Sequence, residues 1–549
     1  MKKIHITLFS VISLLFVTSC DDYLHKDPIG LLTPDNVNTN PTLTSVQYSV
    51  NSTYQMLAST LNLLGDWAWD DGTVTRNDFV VYDLASDDAL KKWNPDGDQP
   101  WMDEIQNYSY IASNTAFNGF WSYQYEGVSR ANLALSYLMD DKIIETVGMD
   151  ASLRKRLLGE TYFLRAFYYF DLVTNFGDVP FLIAPIKDFE DAYKVSERTD
   201  KEIVWEQIMN DLEDAKGNLP LTKFSSESEP WRVSLGAVLA MQAKVALYRK
   251  DYPGVLSAIK ELEDKGFYRL NSNYFDSFSQ YHEFTDNEVI FAYDHKEKMI
   301  PAQGNGLCAL LGWGFFAPSK SFIKEFEPND PRLNLTVDVE KQLVYKILGD
   351  LSNKNQGYDD APSNKVYIRY ADVMLWKAEA LIETGKVSDA IDIINEVRER
   401  ARNTVGVDGE TKAPAGTLPD RDRLGSKEQA WEWLIHERRV ELGLESHRFR
   451  DLKRWGIAEK NLNESRCGAV VGNGSYPTAF VDENGNATSA FNSAIFTKGT
   501  EEVETGKGKL PCVVLLKSSD CAFTKGDYLW AIPRNQINLN SNLVQNPGY

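Results

Sequence analysis

Histidine is scarce in this chain, with six in 549 residues. Cysteine is scarcer still, with five and no Cys-x-x-Cys pair. Together they leave a zinc site without its usual ligands, and no metal or cofactor is expected. No run of about 18 apolar residues follows the first two dozen positions, so no membrane-spanning helix is expected. Gly-x-Ser-x-Gly, His-Glu-x-x-His and the Walker phosphate loop are all missing, which argues against the corresponding hydrolase, metalloprotease and nucleotide sites. The triplet Gly304-Asn305-Gly306 is too short to count as a phosphate cradle. Positive charge is in deficit: 58 Lys and Arg stand against 79 Asp and Glu, a net charge of −21. Nucleic acid and anionic lipid headgroups, which are gripped by Lys and Arg, are therefore poor partners.

What is present begins at the first residue. Lys2 and Lys3 form a short positive head, and Ile4 to Val17 is nearly all apolar. That core is long enough for an export signal and too short to span a bilayer. It ends Val17-Thr18-Ser19-Cys20, which resembles the lipobox of bacterial lipoproteins. The resemblance implies cleavage of residues 1–19 and acylation of Cys20, anchoring the chain to a membrane without spanning it. Asp21 and Asp22 follow at once, as in surface-export signals of Bacteroidetes lipoproteins.

The rest is too long for one compact core, so packed subdomains or a repeat layer are expected. The spacing predicts helices. Residues 366–383 place Tyr367, Tyr370, Ala371, Met374, Ala378 and Leu381 on one face, and Thr384-Gly385-Lys386 ends the run. Residues 387–401 form the partner, with Ala390, Ile391, Ile394 and Val397 inward. A similar pair spans 241–250 and 253–262, with Pro253 in its first turn. A third joins 154–173 to 199–215, with Thr199 as cap and Glu202 three residues on. These pairs resemble tetratricopeptide hairpins, which bury their faces by stacking. Long inserts lie between them at 65–101, 301–320, 403–426 and 466–510, and such inserts on a rigid scaffold carry binding. Cys512 and Cys521 flank a short apolar run; a bridge between them and two free thiols are both open.

Residues 431–456 read WEWLIHERRVELGLESHRFRDLKRWG. Glu437, Glu441 and Glu445 are four apart, with Arg438 and Arg448 three from one glutamate each, and Arg448 also three from Asp451. This spacing predicts ion pairs along a helix rather than a catalytic acid, because adjacent arginines keep carboxylates charged.

The same run resembles the signature of the SusD/RagB family of outer-membrane nutrient-binding lipoproteins: Glu437-Arg438-Arg439, Glu441-Leu442, Glu445-Ser446-His447-Arg448, then Asp451-Leu452-Lys453-Arg454-Trp455. Ser446 departs from the family's usual glycine. Three further stretches resemble the family, at 20–28, 367–381 and 528–549. The resemblance implies a mainly α fold: a helical scaffold with tetratricopeptide-like helix-turn-helix pairs, and long loops forming a ligand face. It implies an N-terminal region over 20–275 and a C-terminal region over 276–549 in one intertwined unit. It also implies a partner, a SusC-like TonB-dependent transporter over which the chain closes as a hinged lid at the outer membrane, facing the exterior.

Sugars offer flat C–H patches that Trp or Tyr faces cover, while Asp, Asn or Arg take the hydroxyls. Two inserts supply such groups. One is GDWAWDDGTVTRNDF (65–79), with Trp67, Trp69, Arg76, Asn77 and Asp78, and with Trp93 and Trp101 close by. The other is GWGFF (312–316), where glycines would let Trp313 and Phe315 stand on a loop. The expected function is glycan capture without catalysis. Peptide binding of the RagB kind, a glycosidase using a pair such as Asp70-Asp71 or Asp87-Asp88, and a ligand-free adaptor are the alternatives.

Overall fold

Apolar residues three and four apart become helices packed in pairs, in a computed structural model that describes residues 39–91, 98–464 and 522–549 and four short strands between Phe480 and Pro511. Trp93, Cys467, Cys512, Cys521 and the first 38 residues, Cys20 included, lie outside the described residues.

The helices used below are α1 (Leu43–Gln55), α2 (Thr115–Met139), α3 (Ala151–Phe176), α4 (Lys201–Asn218), α5 (Leu235–Tyr248), α6 (Tyr252–Asp264), α7 (Tyr370–Glu383), α8 (Val387–Asn403), α9 (Lys427–Leu442) and α10 (Arg448–Arg454). Helix α3 packs on α4, α5 on α6 and α7 on α8, which are the three pairs the spacing predicts. Side chains start them. Asn114 accepts the Ala116 N–H before α2, Asp150 accepts those of Ser152 and Leu153 before α3, and Ser426 forms a reciprocal box with Gln429 before α9. Each such cap contributes about 1 kcal/mol. Before α4 the cap is Asp200, whose carboxylate accepts the Glu202 N–H, and not Thr199. Thr199 is drawn away into a two-residue strand against Val179.

Among the described residues two apolar clusters result. One is local: Ala378, Leu381 and Ile382 of α7 meet Ile391, Ile394 and Val397 of α8 and Leu434 of α9. The other runs from α1 through α2, α3 and α5 to Trp530 and Leu543 near the C-terminus. Burying each large aliphatic side chain contributes about 1.5–3 kcal/mol. Among the described residues no helix is long and apolar enough to cross a membrane.

Among the described residues strand is confined to two-stranded pieces. The longest joins β1 (Val289–Tyr293) to β2 (Lys365–Arg369), antiparallel, with Val289 opposite Arg369. The expectation of a helix from 366 is thus corrected: 366–369 is extended, and α7 starts at Tyr370. Tyr367 leaves the helical stripe, and its hydroxyl donates to the Leu57 carbonyl at 2.6 Å.

The glutamate row is also rearranged. Helix α9 ends at Leu442, and Leu444 and Ser446 turn the chain through left-handed φ of 63° and 65°. Glu445 therefore sits beyond the helix. The row is held by arginines from distant segments. Arg332 reaches Glu437 at 2.5 Å and Glu441 at 3.0 Å; Arg369 reaches Glu441 at 2.7 Å, Glu445 at 2.8 Å and Glu288 at 2.6 Å. Burial opposes ionisation of Glu441, yet Arg400, Arg369 and Arg332 hold its pKa well below the usual range. Arg438 pairs with Asp372 at 2.8 Å and Asp451 at 2.7 Å, and Arg448 with Asp87 at 2.9 Å, rather than with the nearby glutamates. A structural ion network is present, but its partners come through the fold and not along the helix. It also joins early to late sequence: Arg439 binds Asp87 at 3.0 Å and Asp88 at 2.8 Å.

Candidate functional site

Two loops bring four rings together. The first spans 62–74. Asn62 closes it, donating its N–H to the Val74 carbonyl at 2.7 Å while its side-chain oxygen accepts the Trp67 N–H at 2.9 Å. The loop then presses on α2 through two glycines. A Cβ on Gly72 would lie 2.1 Å from the Thr115 carbonyl, and one on Gly119 would lie 1.9 Å from the Gly72 carbonyl. Only two bare backbones approach so closely. Asn118 of α2 adds a bond to the Asp71 carbonyl at 3.0 Å.

The second loop ends a short helix, Leu307–Gly312. Trp313 caps it, with its N–H on the Ala309 carbonyl at 2.8 Å, and Gly314 turns the chain at φ +84°. Trp313 stands half-buried at the helix end. Phe315 does not stand on the loop as expected; it is 4% exposed and lies under it. The apolar run Phe315-Phe316-Ala317 is drawn into the core, where Phe316 meets Phe79 at 5.7 Å and Ala317 pairs with Leu90.

The rings then meet. Trp67 and Trp313 have centroids 6.3 Å apart, Trp69 and Trp313 6.4 Å, Trp69 and Phe315 5.7 Å, and Trp313 and Phe315 6.4 Å. Each such ring pair contributes about 0.5–1.5 kcal/mol beyond burial, so the loops hold each other in place. Trp67 sits outermost, 50% exposed. Its planes tilt by 43° to Trp313, and Trp69 tilts by 56°, so the surface is faceted rather than flat. Asp66, Asp70 and Asp71 are exposed in the same loop, supplying carboxylates beside the rings. Behind Phe315 lies Lys91, its ammonium 5.8 Å from the ring centre and 3.1 Å from Asp103. No feature of the sequence near Lys91 pointed to this role.

Three of the residues expected here are elsewhere. Arg76, Asn77 and Asp78 are 1%, 1% and 3% exposed. Arg76 binds Asp78 at 2.7 Å and Asp171 at 2.8 Å, Asn77 donates to the Ala116 carbonyl at 2.9 Å, and Lys365 binds Asp78 at 2.6 Å. Burial works against the Asp78 charge, but Arg76 and Lys365 hold its pKa low. Their polar groups are spent inside the protein. Trp101 is buried apart from the cluster, its indole N–H on Gln99 at 2.8 Å.

A second aromatic recess, about 410 Å³, lies on the helical scaffold and is lined by Tyr248, Tyr252, Trp431 and Trp455. Its indole N–H groups are already engaged, Trp431 with Glu383 at 2.7 Å and Trp455 with Glu379 at 3.1 Å. The pair Asp87 and Asp88 is buried against Arg439 and Arg448; burial raises Asp88 to about 6 although Arg439 pulls it down. Among the described residues no group of histidine, cysteine and carboxylate side chains is placed to hold a metal.

Comparison with known proteins places this architecture. Residues 201–549 match the model of the SusD family, and residues 34–247 match one described as starch-binding associating with outer membrane. SusD-like protein P2 of Formosa agariphila is 26% identical over 511 residues, covering 83% of this chain and 91% of that one. Surface glycan-binding protein A of Bacteroides fluxus superposes with a TM-score of 0.67 at 20% identity, covering 92% of this chain and all of that one. The protein of that name from Bacteroides thetaiotaomicron, solved in complex with laminarihexaose, superposes with a TM-score of 0.65 at 19% identity, covering 92% and 99%.

Proposed function

The chain belongs to the SusD family, and on that premise we propose that it is a lipid-anchored, surface-exposed glycan-binding protein that captures oligo- or polysaccharide and passes it to a TonB-dependent outer-membrane transporter as a hinged lid. The observation that carries the reading is the meeting of Trp67, Trp69 and Trp313 over Phe315 from two loops far apart in sequence. Such a faceted apolar surface with exposed carboxylates at Asp66, Asp70 and Asp71 suits sugar rings and their hydroxyls. Relatives whose names record glycan binding support the same ligand class.

Covering about 80 Å² of one sugar face contributes roughly 2 kcal/mol before ordering costs. One ring alone would bind weakly. Three rings arrayed on loops that are already docked add their faces without a fresh cost of ordering, which is the advantage of a preformed surface. A lipid on Cys20 would keep the lid beside its barrel, and the helical pairs are the surface offered to the transporter.

The test is binding of the soluble chain, from Asp21 onward, to plant, host and microbial polysaccharides, with a peptide panel in parallel and products checked for cleavage. Retention on one glycan class with the glycan intact is the expected result. Retention of peptides alone would replace glycan by peptide in this reading, and shortened glycan products would replace capture by hydrolysis.

A further inference from the structure

Between the C-terminal ends of α3 and α5, the start of α4 and the face of α10 lies a surface recess of about 530 Å³. Its wall reverses the sign of the protein. Three arginines and three lysines line it against one carboxylate, Glu202, in a chain whose net charge is −21. The arginines are engaged: Arg249 with Glu202 at 3.1 Å, Arg450 with Asp171 at 2.9 Å, and Arg454 with Asp451 at 2.8 Å and with Glu379.

The lysines are not. Among the described residues, Lys201, Lys250 and Lys453 form no ion pair. Lys201 and Lys250 are exposed, and Lys453 is half-buried. The nearby carboxylates outside the wall are committed: Asp178 accepts the Lys201 N–H at 2.9 Å, and Asp527 accepts the Tyr110 hydroxyl at 2.5 Å. Burial and the adjacent Arg450 lower Lys453 to about 7, with Asp527 pulling the other way. Lys250 stands just past α5 at a left-handed φ of 59°, where glycine is the usual residue.

This basic recess continues into the aromatic one on the helical scaffold, since Tyr248, Lys250 and Arg454 line both. In the aromatic half Trp431 meets Trp455 edge-on at 5.9 Å. Two carboxylates line that half and both are engaged: Glu379 with Arg454 and the Trp455 indole, and Glu383 with Lys427 at 3.0 Å and the Trp431 indole. It therefore offers apolar faces but no free carboxylate for sugar hydroxyls. An inorganic anion would fill the basic half alone.

We propose that the joined recesses form a docking furrow for an acidic peptide segment of a protein partner, with its carboxylates on Lys201, Lys250 and Lys453 and an apolar side chain between Tyr252, Trp431 and Trp455. Opposite charge attracts the segment locally, where the protein as a whole repels an acidic chain. The aromatic half supplies the buried anchor. The furrow shares no residue with the ring cluster around Trp67, so it is independent of glycan capture.

Random dodecapeptides displayed on phage and selected on the immobilised soluble chain at low salt test the furrow. A protein of net charge −21 enriches basic peptides by default. Enrichment of sequences with several Asp or Glu around a Leu, Phe or Trp is the expected result. Synthesised with a fluorescent label, these peptides should bind by anisotropy and weaken as salt rises. Replacing their apolar residue by Ala should weaken them as well. Affinity should fall about tenfold or more for the double variant Lys201→Glu, Lys250→Glu. Both lysines are exposed, so this variant should melt with the wild type. Enrichment of basic or neutral peptides alone would overturn the proposal, as would acidic peptides that bind the double variant as tightly as the wild type.

Discussion

Asp83 offers a strong pH prediction. Its side chain is buried, and burial raises its pKa from 3.8 to about 7, against the pull of the Ser446 hydrogen bonds. The folded value is raised, so the native state holds this proton more tightly than the unfolded chain does. The linked stability is present in full below pH 4 and is lost as pH climbs from 4 to 7. About three pH units correspond to about 4 kcal/mol. Asp83→Asn should remove this slope. An asparagine can keep both contacts with Ser446, accepting the N–H now at 3.0 Å and donating to the hydroxyl now at 2.6 Å. At pH 8 the variant should therefore be more stable than the wild type by about 2–4 kcal/mol, allowing for some relaxation around the charged form. At about 2 cal/mol/K per residue, that is a rise in melting temperature of about 2–4 °C. Melts from pH 4.5 to 8 read both the offset and the slope. If the variant melts below the wild type by the same amount at every pH, the carboxylate is charged throughout and the argument fails.

Three other outcomes are expected. Trp67→Ala and Trp313→Ala should each weaken glycan binding by about 10–30-fold, the worth of one covered sugar face, and Trp67→Ala should leave the melting temperature nearly unchanged because half the side chain is exposed; calorimetric titration and melts read the two effects. Gly72→Ala would place a Cβ 2.1 Å from the Thr115 carbonyl, so the loop should lift from α2 and glycan affinity should fall at least as far as in Trp67→Ala, seen by titration and by a red shift in tryptophan emission. Glu441→Gln leaves Arg332, Arg369 and Arg400 short of charge and should cost about 3–5 kcal/mol in urea unfolding.

The parts legible in sequence were those set by local spacing. The helix pairs followed from apolar residues three and four apart, because a helix turns that periodicity into one buried face. The start of α7 was misplaced because Val366-Tyr367-Ile368 carries the same apolar pattern into a strand whose partner, Val289–Tyr293, lies far away in sequence. The cap of α4 slipped by one residue because Thr199 and Asp200 are both good caps, and a distant strand at Val179 took the first. The ion network was legible in kind but not in its partners: Arg439 meets Asp87 and Asp88 across the whole fold. At the candidate site, composition found both loops but not their convergence. Arg76, Asn77 and Asp78 looked like loop-surface groups beside tryptophans. The uninterrupted apolar run after them, Phe79-Val80-Val81, was the available sign that this stretch turns inward.

The most direct test of glycan capture at the four-ring cluster is a crystal structure of the soluble chain with an oligosaccharide of whichever class it retains. Sugar rings stacked on Trp67 and Trp313, with hydroxyls toward the aspartates of the 65–71 loop, are the expected result. Sugar bound instead in the recess of Tyr252, Trp431 and Trp455, with the cluster bare, would contradict it.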